Sequence, residues 1–185
     1  MRIVAGRFKG TALATPKSQG TRPTSDRLRE TVFNILAHGL EMDLDGVRVL
    51  DLFAGTGALG FEAISRGAGH CTFIEDGTEA RGVIRRNMET LGLNGVAKIF
   101  RRDATRMGAA GTIAPFDLVF ADPPYDKGLG EKALASAAAG GWLKPGALCV
   151  LEERASAEVD IPQPFESLDT RQAGDSQVLF LRFKG

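Results

Sequence analysis

Apolar positions along this chain switch repeatedly between runs of strand length and stripes of helical spacing. Leu28, Val32, Ile35, Leu36 and Leu40 fall on one stripe and predict a helix over 24–40, with Thr24, Ser25 or Asp26 as its cap after Pro23. An apolar run predicts a strand at 47–53, followed by a helix at 57–67. A strand over 70–75 leads into a helix over 78–92, whose core side carries Ala80, Val83, Ile84, Met88 and Leu91. Strands are expected at 96–101 and 116–121, then a helix from 129 to 141 that ends at Gly140-Gly141. A fifth strand is expected at 147–152. Strands at 165–171 and 176–183 flank Ala173-Gly174-Asp175 and read as a hairpin. Alternating elements of this kind imply an α/β fold, a mainly parallel sheet with helices on both faces.

Length and composition narrow the picture. A chain of 185 residues suits one domain with a real core, and 43% hydrophobic with 25% charged residues is an ordinary globular balance. Cys71 and Cys149 lie in apolar strand-like runs, and neither they nor His38 and His70 are spaced as metal ligands. No signal peptide or membrane-length apolar run is present, so the cytoplasm is the default expectation. Net charge is zero but unevenly spread. Residues 1–30 hold seven basic residues against two acids, and the rest of the chain carries the balancing negative charge. A basic end on a neutral chain is an electrostatic footprint for phosphate. Arg7, Lys9, Arg22, Arg27 and Arg29, with Thr24 beside them, are the candidate phosphate contacts.

Acids close the strands. Asp51 ends the first, just before the loop Phe53-Ala54-Gly55-Thr56-Gly57-Ala58-Leu59-Gly60. Gly55-x-Gly57-x-x-Gly60 is the dinucleotide fingerprint, and such a loop with the following helix N-terminus is expected to offer free N–H groups to a ligand. By itself it admits NAD, FAD and S-adenosylmethionine alike. Asp51 tilts the choice, because a carboxylate repels a pyrophosphate and attracts a ligand bearing an amino group and a sulfonium. Glu75 ends the second strand 18 residues after Gly57, near the offset at which an acid meets a ribose diol in doubly wound folds; Asp76 is the alternative. Asp103, beside Ala104, follows the third strand and could accept from an adenine amino group.

The fourth strand stops on Asp122-Pro123-Pro124-Tyr125. Neither proline has an N–H, so the backbone there is stiff and presents carbonyl acceptors with no competing donor. Acceptors beside a flat tyrosine suit a planar heterocycle carrying an NH2 group.

Together these motifs resemble the class I S-adenosylmethionine-dependent methyltransferases, with a Rossmann-like, seven-stranded sheet closed by a C-terminal antiparallel hairpin. The resemblance implies that Asp51, Phe53, Ala54, Gly55 and Gly57 hold the methionine end of the cofactor. Glu75 or Asp76 would hold the ribose, and Asp103 with Ala104 the adenine. The Asp122-Pro123-Pro124-Tyr125 motif marks members that methylate exocyclic amines of nucleobases, with S-adenosylhomocysteine as product and no metal. Residues 1–10 and the run Arg22-Pro23-Thr24-Ser25-Asp26-Arg27-Leu28-Arg29-Glu30 are similar to the bacterial 16S rRNA guanine-N2 methyltransferase family. That similarity implies a single methyltransferase domain over 1–185, with an RNA-facing extension and helix at 1–40 and a cofactor-binding core at 47–183. It also implies 16S rRNA as substrate, within a partly assembled 30S particle, and a monomeric enzyme with no membrane partner. An N6-adenine methyltransferase acting on DNA or RNA, and more distantly an NAD- or FAD-binding module, remain open on the motifs alone.

Overall fold

The computed structural model describes residues 1–17 and 24–185. Its strands are β1 (Arg48–Leu52), β2 (His70–Ile74), β3 (Ala97–Phe100), β4 (Phe116–Ala121), β5 (Leu143–Arg154), β6 (Phe165–Ala173) and β7 (Ser176–Phe183). They form one sheet in the order β3-β2-β1-β4-β5-β7-β6. The first five run parallel, and β7 inserts antiparallel between β5 and β6.

Side chains alternate across the sheet and build two separate cores. Val49, Phe73, Leu118 and Phe120 face α1 (Asp26–Asn34), α2 (Ala58–Ser65) and α3 (Thr78–Leu91), whose Phe33, Phe61 and Ile84 are fully buried there. Leu50, Leu52, Ile74, Val119 and Ala121 face the other way, against Ala133, Leu134 and Ala137 of α4 (Leu129–Ala139) and Trp142. Period-two alternation in a parallel sheet thus feeds helices on both faces.

Two elements differ from the pattern-based expectation. The first helix is α-helical only to Asn34. Its last turn, Ile35–Gly39, widens into a π-turn closed by Leu40 N–H to Ile35 O at 2.9 Å, where Gly39 weakens the α-helix. Strand β5 runs from 143 to 154, well beyond 147–152. Leu143 pairs with Phe116 ahead of a register shift, and at the other end β7 carries the pairing out to Arg154↔Ser176. Glu152, Glu153 and Arg154 break the apolar run, so hydrophobic pattern cannot see a strand that its neighbour's hydrogen bonds continue.

The basic amino-terminal stretch is a docked hairpin. Arg2 bridges Ala12, and Ile3 and Leu13 are buried. The buried Glu62 of α2 accepts from Val4 N–H (2.9 Å) and Ala5 N–H (3.0 Å), while Ser65 Oγ accepts from Phe8 N–H (3.0 Å) and donates to Ala5 O (2.6 Å). Asn87 of α3 holds Ala14 at both its N–H and its carbonyl. Gly6 sits at φ 84° against α2, where an added Cβ would lie 1.9 Å from Ser65 O. Only glycine lets the arm approach this closely.

Candidate active site

Register places the strand ends side by side. Leu52 pairs with both Ile74 and Ala121, and Ile74 with Phe100. The residues that follow, Phe53, Glu75 and Asp122, therefore emerge at one edge, where the strand order reverses between β1 and β4. Ligands of open parallel sheets bind at such a switch point. A cleft of about 700 Å³ opens there, lined by Asp51, Phe53, Ala54, Gly55, Glu75, Asp76 and the whole of Asp122-Pro123-Pro124-Tyr125. A second cavity of about 280 Å³, lined by Asp103, Ala104 and Leu129, shares Phe53, Glu75, Asp76 and Pro124 with the first. The two form one elongated site.

Acids organise its glycine loop. Glu75 Oε1 accepts from Gly55 N–H (2.8 Å) and Oε2 from Gly77 N–H (2.9 Å). Asp51 is buried, and its Oδ2 accepts from Gly60 N–H at 3.1 Å, taking the place of a capping side chain on α2. Ala54 N–H donates to Ile74 O, Gly57 N–H to Ala54 O and Ala58 N–H to Thr56 Oγ1. The expectation of free N–H groups in this loop therefore fails at five of its positions, because acids, carbonyls and the Thr56 hydroxyl within the protein already accept from them. Phe53 reaches the cleft from φ 54°, a left-handed conformation costly for a non-glycine residue.

The glycines divide their work. Gly57, expected at the cofactor, is buried and does not line the cleft; an added Cβ would meet the Phe61 ring at 2.6 Å. Gly60 lies against β2, where a Cβ would come within 2.4 Å of Phe73 and 2.6 Å of Cys71 Sγ. Both set helix-to-sheet packing.

At the Asp122 end, Thr24 Oγ1 donates to Asp122 Oδ2 at 3.0 Å. Asp122 touches the cleft yet is packed round by protein. Burial, and then the charge of Glu152, push its carboxyl well above the ordinary range, while the Thr24 hydrogen bond works the other way. Ala121 pairs with Leu151, so the next residues, Asp122 and Glu152, lie side by side on the cleft wall. Tyr125 OH donates to Glu152 Oε1 (2.8 Å) and lies 2.7 Å from Ser176 Oγ. The Arg154 guanidinium covers one face of the Tyr125 ring, 5.3 Å from its centroid, and pairs with Asp126 at 2.7 Å. Asp51 is also held well above the usual carboxylate range, first by burial, with the Gly60 N–H opposing and the Glu75 charge adding. Asp103, exposed, is held low by the Thr105 hydroxyl (2.7 Å) and N–H (2.8 Å), both on its Oδ1.

Relatives of known kind share this chain. The family model described as "Conserved hypothetical protein 95" matches residues 1–182. The protein named Ribosomal RNA small subunit methyltransferase D in Haemophilus influenzae is 34% identical over 94% of this chain and 89% of its own length. The chain belongs to the ribosomal RNA small subunit methyltransferase D family. A solved Escherichia coli member, yhhF, described as a methyltransferase, superposes with TM-score 0.84 at 32% identity, covering 100% of this chain and 98% of its own. The Rossmann-like methyltransferase fold is shared more widely. The Thermus thermophilus 16S rRNA N2 G1207 methyltransferase, solved with AdoMet and guanosine, gives TM-score 0.65 at 21% identity over 91% of this chain and 45% of its own.

Within this methyltransferase D fold the candidate RNA residues separate. Arg7, Lys9 and Arg27 are exposed. Arg22 lies outside the described residues. Arg29, expected at a phosphate, is instead fully buried: its Nη2 donates to Arg2 O at 2.7 Å and pairs with Asp26, so it ties α1 to the arm and has no surface to offer. Thr24, expected at RNA, lines the cleft and hydrogen-bonds Asp122. Residues missed by sequence reading are Glu152, Arg154 and Ser176. Glu152 carried a signal, since it is one more acid closing a parallel strand. Arg154 and Ser176 carried none, because only the β5–β7 pairing brings them to Tyr125.

The donor set fits S-adenosylmethionine. Asp51, Glu75, Asp76 and Glu79 make the cofactor end of the cleft acidic, which suits a cationic ligand with ribose hydroxyls to donate. A pyrophosphate would face these acids without the loop amides that normally receive it.

Proposed function

We propose that this protein transfers a methyl group from S-adenosylmethionine to the exocyclic N2 amine of a guanine in 16S rRNA. The observation that carries the reading is the placement of Asp122-Pro123-Pro124-Tyr125 on the same cleft as Asp51 and Glu75. The naming of the H. influenzae relative, and the amino-terminal run around Asp26, Arg27 and Glu30, favour ribosomal RNA and guanine over adenine N6. A partly assembled 30S particle is the proposed substrate, met by a monomer.

Asp51 and the Phe53–Gly55 backbone would hold the amino acid end of the cofactor. Glu75 or Asp76 would accept from the ribose hydroxyls, and the Asp103–Ala104 cavity would take adenine. Bound there, S-adenosylmethionine supplies an electrophilic methyl group. The lone pair of the guanine amine is delocalised into its ring. Acceptance of its two N–H groups by Asp122 and a proline carbonyl localises that lone pair and aims it, a contribution of positioning and electrostatics. The base must be single-stranded or extruded to reach this corner. Tyr125 is the proposed stacking platform for the base. Arg7, Lys9, Arg22 and Arg27 are the proposed phosphate contacts, and the arm with α1 forms the RNA-facing side.

The test is nucleoside mass spectrometry of small-subunit particles from cells lacking the gene, incubated with the protein and labelled cofactor. N2-methylguanosine is expected. N6-methyladenosine would replace this reading with the adenine one, and no product with either particles or naked RNA would overturn both.

A further inference from the structure

One line of polar groups in the cleft extends beyond the acid that accepts the amine. Ser176 Oγ, Tyr125 OH, Glu152 and Asp122 follow one another from β7 to the end of β4, and Thr24 closes the far side of Asp122. Two carboxyl groups at neighbouring strand ends favour a proton on one of them. Among the described residues that line the cleft, the cation is Arg154, which pairs with Asp126 and lies over the Tyr125 ring. Asp51 of β1, a further acid, acts on Asp122 in the same direction as Glu152. Burial and the neighbouring Glu152 both favour a proton on Asp122.

We propose that Glu152 is the terminal proton acceptor of the methyl transfer, a positioning residue acting through Asp122. The inference rests on the amine-methylation reading above. An aromatic amine that gains a methyl group becomes cationic and must lose one proton. Its N–H bond breaks with the electron pair left on nitrogen, and that proton passes to the Asp122 oxygen that accepted it. The proton Asp122 already held moves to Glu152. The pair goes from one proton and one negative charge to two protons and none, and the product amine leaves neutral. Tyr125 OH, donating to Glu152 Oε1, fixes that carboxyl beside Asp122.

Glu152→Gln keeps size and polarity but cannot take the proton. Its kcat on small-subunit particles should fall about 10²-fold, as removal of a general base does. KM and S-adenosylhomocysteine affinity should stay within about twofold, since neither ligand is held by Glu152 on this account. The acid limb of the kcat–pH profile should move, and Glu152→Asp should recover part of the rate. Independently of turnover, the infrared band of the buried protonated carboxyl should titrate at lower pH in Glu152→Gln than in the unmodified protein, because Asp122 has lost a neighbouring charge. Tyr125→Phe serves if Glu152→Gln does not fold: without the phenol donor, the acid limb should shift to higher pH. A Glu152→Gln enzyme with unchanged kcat and acid limb overturns the proposal, as does an unmoved limb in Tyr125→Phe. If the unmodified protein makes no methylated nucleoside, the function reading falls and this inference with it. If it does and Glu152→Gln matches it, only the inference falls.

Discussion

Thr24 Oγ1 donates to Asp122 Oδ2 at 3.0 Å, joining the threshold of the first helix to the end of the fourth strand across 98 positions of sequence. The contact puts the basic amino-terminal segment directly on the acid proposed to face the reacting amine.

Loss of that donor should therefore be felt in chemistry. Thr24→Val preserves shape but removes the hydroxyl, which currently lowers the Asp122 proton affinity. The kcat is expected to fall about tenfold, the worth of one hydrogen bond to a charged group, with the acid limb displaced to higher pH. Thr24→Ser should behave as the unmodified protein. Equal pH–rate profiles for the valine and serine variants would contradict this.

Asp122 should cost the protein stability. Its folded proton affinity is raised above the unfolded value of about 3.9, so the folded state binds a proton that the unfolded chain releases. Stability contributed by this group is full below about pH 4 and is lost as pH rises towards the folded value. Asp122→Asn has no proton to lose. It should melt at the same temperature as the unmodified protein near pH 3 and higher at pH 7, by about 2–4 °C for each kcal/mol relieved. Asp122→Ala should abolish methyl transfer while leaving cofactor affinity nearly intact. Thermal melts across pH in the absence of cofactor check the first expectation; a gap independent of pH would exclude it.

Cofactor affinity should rise with pH. Burial raises the proton affinity of Asp51, and only its ionised form attracts a cationic ligand, so binding of S-adenosylmethionine should release a proton. Calorimetry in buffers of different ionisation enthalpy measures that release directly. Asp51→Asn, which can still accept from Gly60 N–H, should bind more weakly and without proton release. Release persisting undiminished in the variant would assign it to another group.

Glu62 should be required for the arm. Its buried carboxylate satisfies two backbone donors, Val4 and Ala5, besides the Arg66 guanidinium. Glu62→Ala leaves those donors orphaned, at about 2–4 kcal/mol in total. Amide exchange at Val4 and Ala5 should accelerate well beyond that of β1, and S-adenosylhomocysteine affinity should change little. Protection of those amides equal to the unmodified protein would show that the arm is held by other contacts.

Much of the architecture was legible because parallel strands are short, apolar and bounded by glycine or acid. Glu75 could be found by its spacing from Gly57, since a doubly wound fold fixes the distance between consecutive strand ends. Arg29 could not be placed the same way. A cation in a basic run looks solvated, and only the packing of α1 against the arm shows that the guanidinium is consumed internally. Gly57 and Gly60 matched a ligand-loop pattern that packing against Phe61 and Phe73 satisfies equally well, so letters alone could not tell the two uses apart.

The sequence by itself determined the local chemistry: which strands end in acids, where prolines remove donors, and where charge gathers, because these depend on residue identity and near-neighbour spacing. Tertiary structure alone decided which of those groups meet. Glu152 reaches Asp122 through the β4–β5 register, Ser176 reaches Tyr125 through antiparallel β7, and Thr24 reaches Asp122 through docking of α1. Contacts between residues far apart in sequence are set by packing and strand order, which no local pattern encodes.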